Sequence, residues 1–509
     1  MSVVNHGLKD PQRLSFESSK TRRLVLGSYW FIIVAALPFW WHLTSIQRIA
    51  LPSNHVRSQL DRKPVFSVDV RIDTSTFQTK ALGLSRELNQ LLSPSSQFSP
   101  ECDAKARLYH QAVTMNIAEM ESSVYTVILD DVTAIRHPRQ LLVSPEDASS
   151  GGRILSNLLA PQTTPFQAQR VAQYSQRYRL SFTLLNENAA SDRSASSWDI
   201  EAVIAGMSSP LPYYCLSPIL SRLTALHNFT VESQVQFHAP LAFEPSQLVV
   251  ANQTLRGLTA EDLTIFVNSA EWTLSSSVSN DPVLHFVLFI PSAALQPLHI
   301  IDTQGKCSLT GENSFLLPQW GGIYILNKHV DAAMMHLSAV DLVPVFSTFA
   351  NQLSTLLGVP SLPDGIKSED SAPLSSWQLD ALLRYRAMEN FLGSQQTLNS
   401  IVKLVDQIEN MPVDQNVRVD VHDALAALEQ AYRSTVGSPV TSLRWSSEAL
   451  SLASHAFFNP GMLALLYFPA EHKYAVYTPL FASIAVPLIV ALVREAYTWR
   501  RERRNAVHG

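Results

Sequence analysis

Two uncharged apolar runs, one near each end, constrain this chain more than anything else in it. The first, Leu24 to Trp41, reads LVLGSYWFIIVAALPFWW over 18 residues; the second, Tyr474 to Val493, reads YAVYTPLFASIAVPLIVALV over 20. A helix rising 1.5 Å per residue needs about 20 apolar residues to cross roughly 30 Å of hydrocarbon. Both runs are therefore predicted to be transmembrane helices, and what lies between them faces one side of the bilayer. Trp30, Trp40, Trp41, Tyr474 and Tyr477 suit the aromatic belt of the membrane interface.

Other readings of the two runs fit less well. A cleaved signal peptide would carry a small-x-small site, but Leu37, Pro38, Phe39, Trp40 and Trp41 stand there instead. A buried core helix or a lipid-attachment signal at the second run would lack the basic follow-on REAYTWRRERR, Arg494 to Arg504. That follow-on resembles a stop at the cytosolic headgroups. Residues 1–23 and 494–509 each hold five Lys or Arg against two acidic residues, +3 apiece. The whole chain is −5, so the middle is −11 and a general nucleic-acid binder is not indicated. The positive-inside rule then puts both termini in the cytosol and the bulk in the lumen of the endoplasmic reticulum or beyond.

The middle is too polar for a multi-span transporter and too rich in aliphatic and aromatic residues for wholesale disorder. Asn228-Phe229-Thr230 and Asn252-Gln253-Thr254 fit the N-glycosylation pattern and fall on the expected luminal side. Cys102, Cys215 and Cys307 are the only cysteines, too few for a disulfide-built module. One bridge is compatible with three cysteines, and spacing does not choose it.

The middle is expected to be an α/β or α+β domain over 42–360, followed by a helical region over 361–473. The whole division reads 1–23 cytosolic tail, 24–41 first span, 42–360, 361–473, 474–493 second span and 494–509 basic tail. Val65 to Ile72, Val124 to Leu129, Tyr178 to Leu185, Val283 to Ile290 and Gly322 to Leu326 are predicted strands. Val231, Val235 and Phe237 fall on one face of a further strand. Thr79 to Leu92 and Ser217 to Leu226 are helical candidates. Leu91 to Ser99, Glu146 to Gly152, Asn186 to Ser197 and Pro360 to Pro373 read as loops or linkers. Beyond them Ser376 is positioned to cap a helix from Trp377. Ile401, Leu404, Val405 and Ile408 repeat at helical spacing, as do Val421, Leu425, Leu428 and Tyr432, and Ser438 to Phe457 is a fourth helix. Pro460 breaks the pattern before the membrane.

Chemistry-bearing motifs are not found. His-Glu-x-x-His, clustered Cys/His, Gly-x-Ser-x-Gly and the phosphate-loop pattern do not occur. His285, inside VLHFVLF, reads as a packed, hydrogen-bonded histidine rather than a ligand. Asp130 and Asp131 point oppositely if on a strand. No catalytic residue, metal site or cofactor is expected, although a cysteine nucleophile with a distant His partner is compatible with the spacing.

Five stretches together resemble one family. They are Leu37 to Pro52 (LPFWWHLTSIQRIALP), Ser197 to Glu201 (SWDIE), Leu226 to Leu241 (LHNFTVESQVQFHAPL), Pro318 to Asn327 (PQWGGIYILN) and Phe458 to Val476 (FNPGMLALLYFPAEHKYAV). They look like the PIG-S family, the S subunit of the glycosylphosphatidylinositol (GPI) transamidase complex. The resemblance implies a two-span protein of the endoplasmic reticulum membrane with a large luminal domain. It further implies a non-catalytic scaffold whose partners are the other subunits, including the caspase-like catalytic one, with GPI and precursor protein nearby. A membrane-tethered luminal hydrolase or transferase with an unrecognised site is the alternative; a luminal adhesion module is a third.

Overall fold

The computed structural model describes residues 18–44, 48–72, 83, 86, 113–117, 125–136, 139–144, 146–147, 150–161, 171–187, 195–204, 216–250, 253–268, 272, 274, 280–301, 313–327, 334–368, 373–408, 411–463 and 470–507. The candidate helix at 79–92 (save 83 and 86), the loop at 91–99, Asn252 and all three cysteines lie outside them. Contacts divide the chain into two units, Met1–Arg57 with Thr397–Asp423 and Leu452–Gly509, and Ser58–Gln396 with Ala424–Ser451.

The second unit is built on two main sheets. A six-stranded sheet runs in the order Lys367–Ser368, Ala134–Arg136, Gln140–Val143, Tyr125–Leu129, Phe66–Ile72, Val113–Ile117. Its pairings are parallel except that between Ala134–Arg136 and Gln140–Val143. Parallel strands need crossover connections that cover their faces, so the strands read as apolar runs. Val68, Val70, Val127, Leu129, Leu141 and Val143 pack with Leu155 and Leu159 of the Gly151–Leu159 helix and with Trp377.

A five-stranded sheet has the order Ser314–Leu317, Gly321–Ile325, Val283–Ile290, Arg177–Asn186, Asn228–Phe237. Side-chain alternation divides its two faces. On one, Phe182 stacks on Phe286 at 5.3 Å and on Phe346 of the Ala339–Leu356 helix at 5.2 Å. Ser338 and Asp341 form a capping box that starts that helix. On the other face, Leu185, Val287, Phe289 and Ile323 meet Leu258, Phe266, Trp272 and Leu298. Leu258 and Leu298 come from a small sheet ordered Leu298–Ile300, Gln253–Leu258, Ser246–Val250. Val231 and Phe237 do share a face of the Asn228–Phe237 strand, but they are 40% and 45% exposed. This strand is the sheet edge, so its odd-numbered face is not core.

The predicted helices beyond residue 373 form, with one rearrangement. The helix assigned from Trp377 and the pattern at Ile401 to Ile408 join into a single Ser376–Gln407 helix of 32 residues. Its cap is Ser375, one residue earlier than expected. The Ser375 hydroxyl accepts from Gln378 N at 3.3 Å, and Gln378 Oε1 accepts from Ser375 N at 3.1 Å. Gln415–Ser434 and Pro439–Phe457 follow, and Pro460 opens a short turn, Pro460–Leu463. Val421 and Leu428 are buried, as their spacing requires.

The first unit contains the two long apolar helices, Ser19–Thr44 and Ala470–Val507. The stretches able to cross a bilayer are Lys20–Trp40 and Ala475–Arg501. Their apolar side chains face outward, Leu24 73% and Phe31 74% exposed. In water such exposure is unfavourable by about 25 cal/mol per Å² of apolar surface, and hydrocarbon removes the penalty. The second helix continues through the basic tail to Val507, well past the predicted boundary at 493.

Candidate functional site

The two apolar helices are paired antiparallel. At one end Trp40 lies edge-on against Tyr477 at 5.5 Å and Phe481 at 5.3 Å. At the other, Arg23 Nε donates to Glu495 Oε1 at 2.9 Å, with Arg22 Nε 3.4 Å from Glu495 Oε2. Arg23 to Trp40 and Tyr477 to Glu495 each span about 26 Å of helix, close to the hydrocarbon thickness. The outer ends of both helices therefore emerge at the same end of the hairpin.

The stretch Leu37 to Pro52 supplies more than the span. Beyond Trp40, Arg48 Nη2 donates to Val405 O at 2.6 Å, and Ile49 N donates to Val413 O at 3.1 Å. Val405 lies in the last turn of its helix, where carbonyls lack intrahelical partners and a cation complements the dipole. Arg57 then pairs with Asp406 at 2.6 Å. These residues clamp the chain where it leaves the membrane.

The other four resembling stretches are structural where they are described. In Ser197 to Glu201, Trp198 is buried near Phe346, and Asp199 Oδ1 accepts from Glu201 N at 3.1 Å, opening a helical turn. In Leu226 to Leu241, buried His227 places Nδ1 2.5 Å from Ser175 O, while Pro240 O accepts from Asn268 Nδ2 and Trp272 Nε1, both at 3.1 Å. In Pro318 to Asn327, Trp320 stacks on His285 at 4.8 Å and the Asn327 amide bonds both backbone groups of Leu298. In Phe458 to Val476, Asn459 Oδ1 accepts from Gly461 N at 2.9 Å. Burial lowers the pKa of His227 and of His285 to about 4. A general acid or base works best with a pKa near the operating pH, so neither is tuned for that task. His285 is packed as expected, but its Nδ1 meets no hydrogen-bond partner among the described residues.

One buried polar cluster was not anticipated. Asp380 accepts from Arg139 Nε at 2.6 Å, from Arg139 Nη2 at 3.1 Å and from Tyr125 OH at 2.7 Å. Arg384 Nη1 donates to the same Tyr125 hydroxyl at 2.8 Å, and Nη2 to Leu159 O at 3.2 Å. Burial drives the Tyr125 phenol well above its ordinary range, so it stays protonated and donates. The cluster joins the six-stranded sheet, the Gly151–Leu159 helix and the Ser376–Gln407 helix. The Asp380 side chain is 4% exposed and the Arg139 side chain that covers it is 36% exposed, so the carboxylate is closed off at the edge of the core, which suits a strut and not a substrate site. The sequence signal was Asp380 and Arg384 at i,i+4 inside an apolar helix face, a spacing that exposed ion pairs share.

Asn228 begins the edge strand of the five-stranded sheet, and both Asn228 and Thr230 are exposed. Among the described residues no three His, Cys, Asp or Glu side chains come together as a metal set.

A helical hairpin fit to cross a bilayer, joined in one chain to an α/β unit braced by a charged cluster, defines a two-span membrane-anchored protein. The chain belongs to the PIG-S family: the profile of phosphatidylinositol-glycan biosynthesis class S protein matches residues 27–146 and 143–502. It is 27% identical over 546 aligned positions to the GPI transamidase component PIG-S homolog of Schizosaccharomyces pombe, covering 99% of this chain and 90% of that protein. It is 35% identical to the GPI-anchor transamidase component PIGS of Mus musculus, over 62% of this chain and 56% of that one. The GPI transamidase component GPI17 of Saccharomyces cerevisiae is 26% identical over 88% of this chain and 87% of its own length. The matched region thus spans little more than half of the mouse relative and most of the two yeast ones.

Proposed function

We propose that this chain is a non-catalytic, membrane-anchored subunit of a GPI transamidase complex in the endoplasmic reticulum, a scaffold for attaching GPI to the C-terminus of precursor proteins. The observation that carries this reading is the extent of the family match, residues 27–502, which runs from within the first apolar helix through the second membrane-crossing stretch. The structural employment of the resembling stretches supports it, because their polar atoms serve caps, clamps and packing. The basic outer flanks support cytosolic termini, with residues 42–473 luminal. The partners are the other subunits of the complex, the caspase-like catalytic one among them. Two spans tether the body to the bilayer, which raises its effective concentration toward other anchored chains.

Extraction in mild detergent is expected to bring the other transamidase subunits down with this chain, and depletion is expected to stop GPI attachment. Cys102→Ala, Cys215→Ala and Cys307→Ala should each leave attachment intact in cells lacking the native chain. Loss of attachment with the complex still assembled and folded would favour a thiol-dependent enzyme instead. Topology has its own readout: Asn228→Gln and Asn252→Gln should each remove one glycan-sized mobility shift. Unchanged mobility in both would argue against the luminal placement.

A further inference from the structure

The helical hairpin leaves a cleft of about 410 Å³ at its charged end. Its walls are apolar, Leu26, Gly27 and Trp30 on one helix and Leu492, Ala496 and Trp499 on the other. The rim is cationic. Arg22 and Arg23 share Glu495, and the Arg503 guanidinium lies 4.8 Å over the ring of Trp499, which lines the cleft, so this end of the hairpin is rich in guanidinium groups. Trp30 Nε1 is buried and meets no acceptor among the described residues. A buried donor without an acceptor is costly, and apolar walls give water too few partners to fill the role.

We propose that this cleft binds one anionic phospholipid of the surrounding bilayer. An acyl chain lies along Leu26, Gly27, Leu492 and Ala496, an ester carbonyl accepts from Trp30 Nε1, and the phosphate faces the arginine rim. The chemistry favours lipid over a partner's transmembrane helix. Such a helix offers apolar side chains, but its backbone carbonyls are already bonded within the segment. A phospholipid brings apolar chain, free acceptor and negative charge at about the depths where the cleft needs them. The site concerns the anchor alone and goes beyond the proposed scaffold role.

The test uses the full-length chain with the subunits that copurify with it, in mild detergent. The probes are phosphatidylinositol and phosphatidylcholine, each carrying a diazirine on one acyl chain. Phosphatidylinositol is expected to label peptides holding Gly27 to Trp30 and Leu492 to Trp499. A Cβ at Gly27 meets no atom within 4 Å, and Gly27 lines the cleft, so Gly27→Phe builds its ring at a site where the cleft is open to it. It should cut that labelling about tenfold, and Trp30→Phe, which keeps a ring but loses the donor, about fivefold. Equal labelling by phosphatidylcholine, or undiminished labelling in both variants, would overturn the proposal. Loss of a copurifying subunit from Gly27→Phe, with no phosphatidylinositol labelling of the parent chain, would assign the cleft to a protein partner instead.

Discussion

Replacing Gly321 with alanine is expected to destabilise the five-stranded sheet strongly. Gly321 pairs directly with His285 on the neighbouring strand, and a Cβ there would fall within the backbone of His285, its carbonyl oxygen first. Backbone in the middle of a parallel sheet cannot swing aside as a side chain does. Its hydrogen bonds hold it on both flanks, since Val283–Ile290 also pairs with Arg177–Asn186. Trp320, stacked on the His285 ring at 4.8 Å, closes the remaining route of relief. Overpacking a core by extra methylenes typically costs about 1–3 kcal/mol. A clash with fixed backbone belongs at or above the top of that range, a large part of the roughly 5–15 kcal/mol that holds a domain together. Thermal unfolding of the detergent-solubilised chain should therefore shift down by many degrees, with a matching rise in protease sensitivity. Gly437→Ala is the control, because its Cβ would meet Ser434 O at an ordinary 3.6 Å. A Gly321→Ala protein as stable as Gly437→Ala would show that the strands separate more readily than the register implies.

The glycine pair also shows where reading the sequence stops. Gly321-Gly322 after Trp320 looks like a turn entering a strand, and the strand is there. The need for glycine comes from His285, 36 residues earlier by number and adjacent only through parallel pairing. Local periodicity made Phe66–Ile72, Val283–Ile290, Gln415–Ser434 and Pro439–Phe457 legible, because their apolar spacing repeats within a few residues. Apolar length alone made both membrane helices legible. Sheet order was not legible, since every parallel neighbour is reached by a crossover whose partner the spacing does not name. Ser375 and Ser376 are chemically equivalent caps until the position of Gln378 decides between them. The Val231 and Phe237 face was legible as a face but not as an exposed one, because edge position depends on sheet order.

Asp380 offers the second large effect, and its sign depends on what replaces it. Asp380→Ala is expected to cost about 3 kcal/mol, the low end for breaking a buried pair because Arg139 is 36% exposed, since it leaves the Arg139 guanidinium and the buried Tyr125 hydroxyl without their acceptor. Tyr125→Phe takes one acceptor from Arg384 Nη1 but leaves the carboxylate bound to Arg139 through two hydrogen bonds, so its cost should be nearer about 2 kcal/mol. The two effects should not add. Once Asp380 is gone the hydroxyl has lost its acceptor, and the double variant should be less unstable than the sum by about 0.5 kcal/mol or more. Trp377 stands 4.6 Å from Tyr125 and is fully buried, so its fluorescence reports on the cluster as the body unfolds. Additive costs would mean that the phenol and the carboxylate act separately. Smaller loss in Asp380→Ala than in Tyr125→Phe would remove the carboxylate as the centre of the strut. The expected order follows from charge: Asp380→Ala removes the carboxylate that accepts three hydrogen bonds, whereas Tyr125→Phe leaves it in place with two of its three donors.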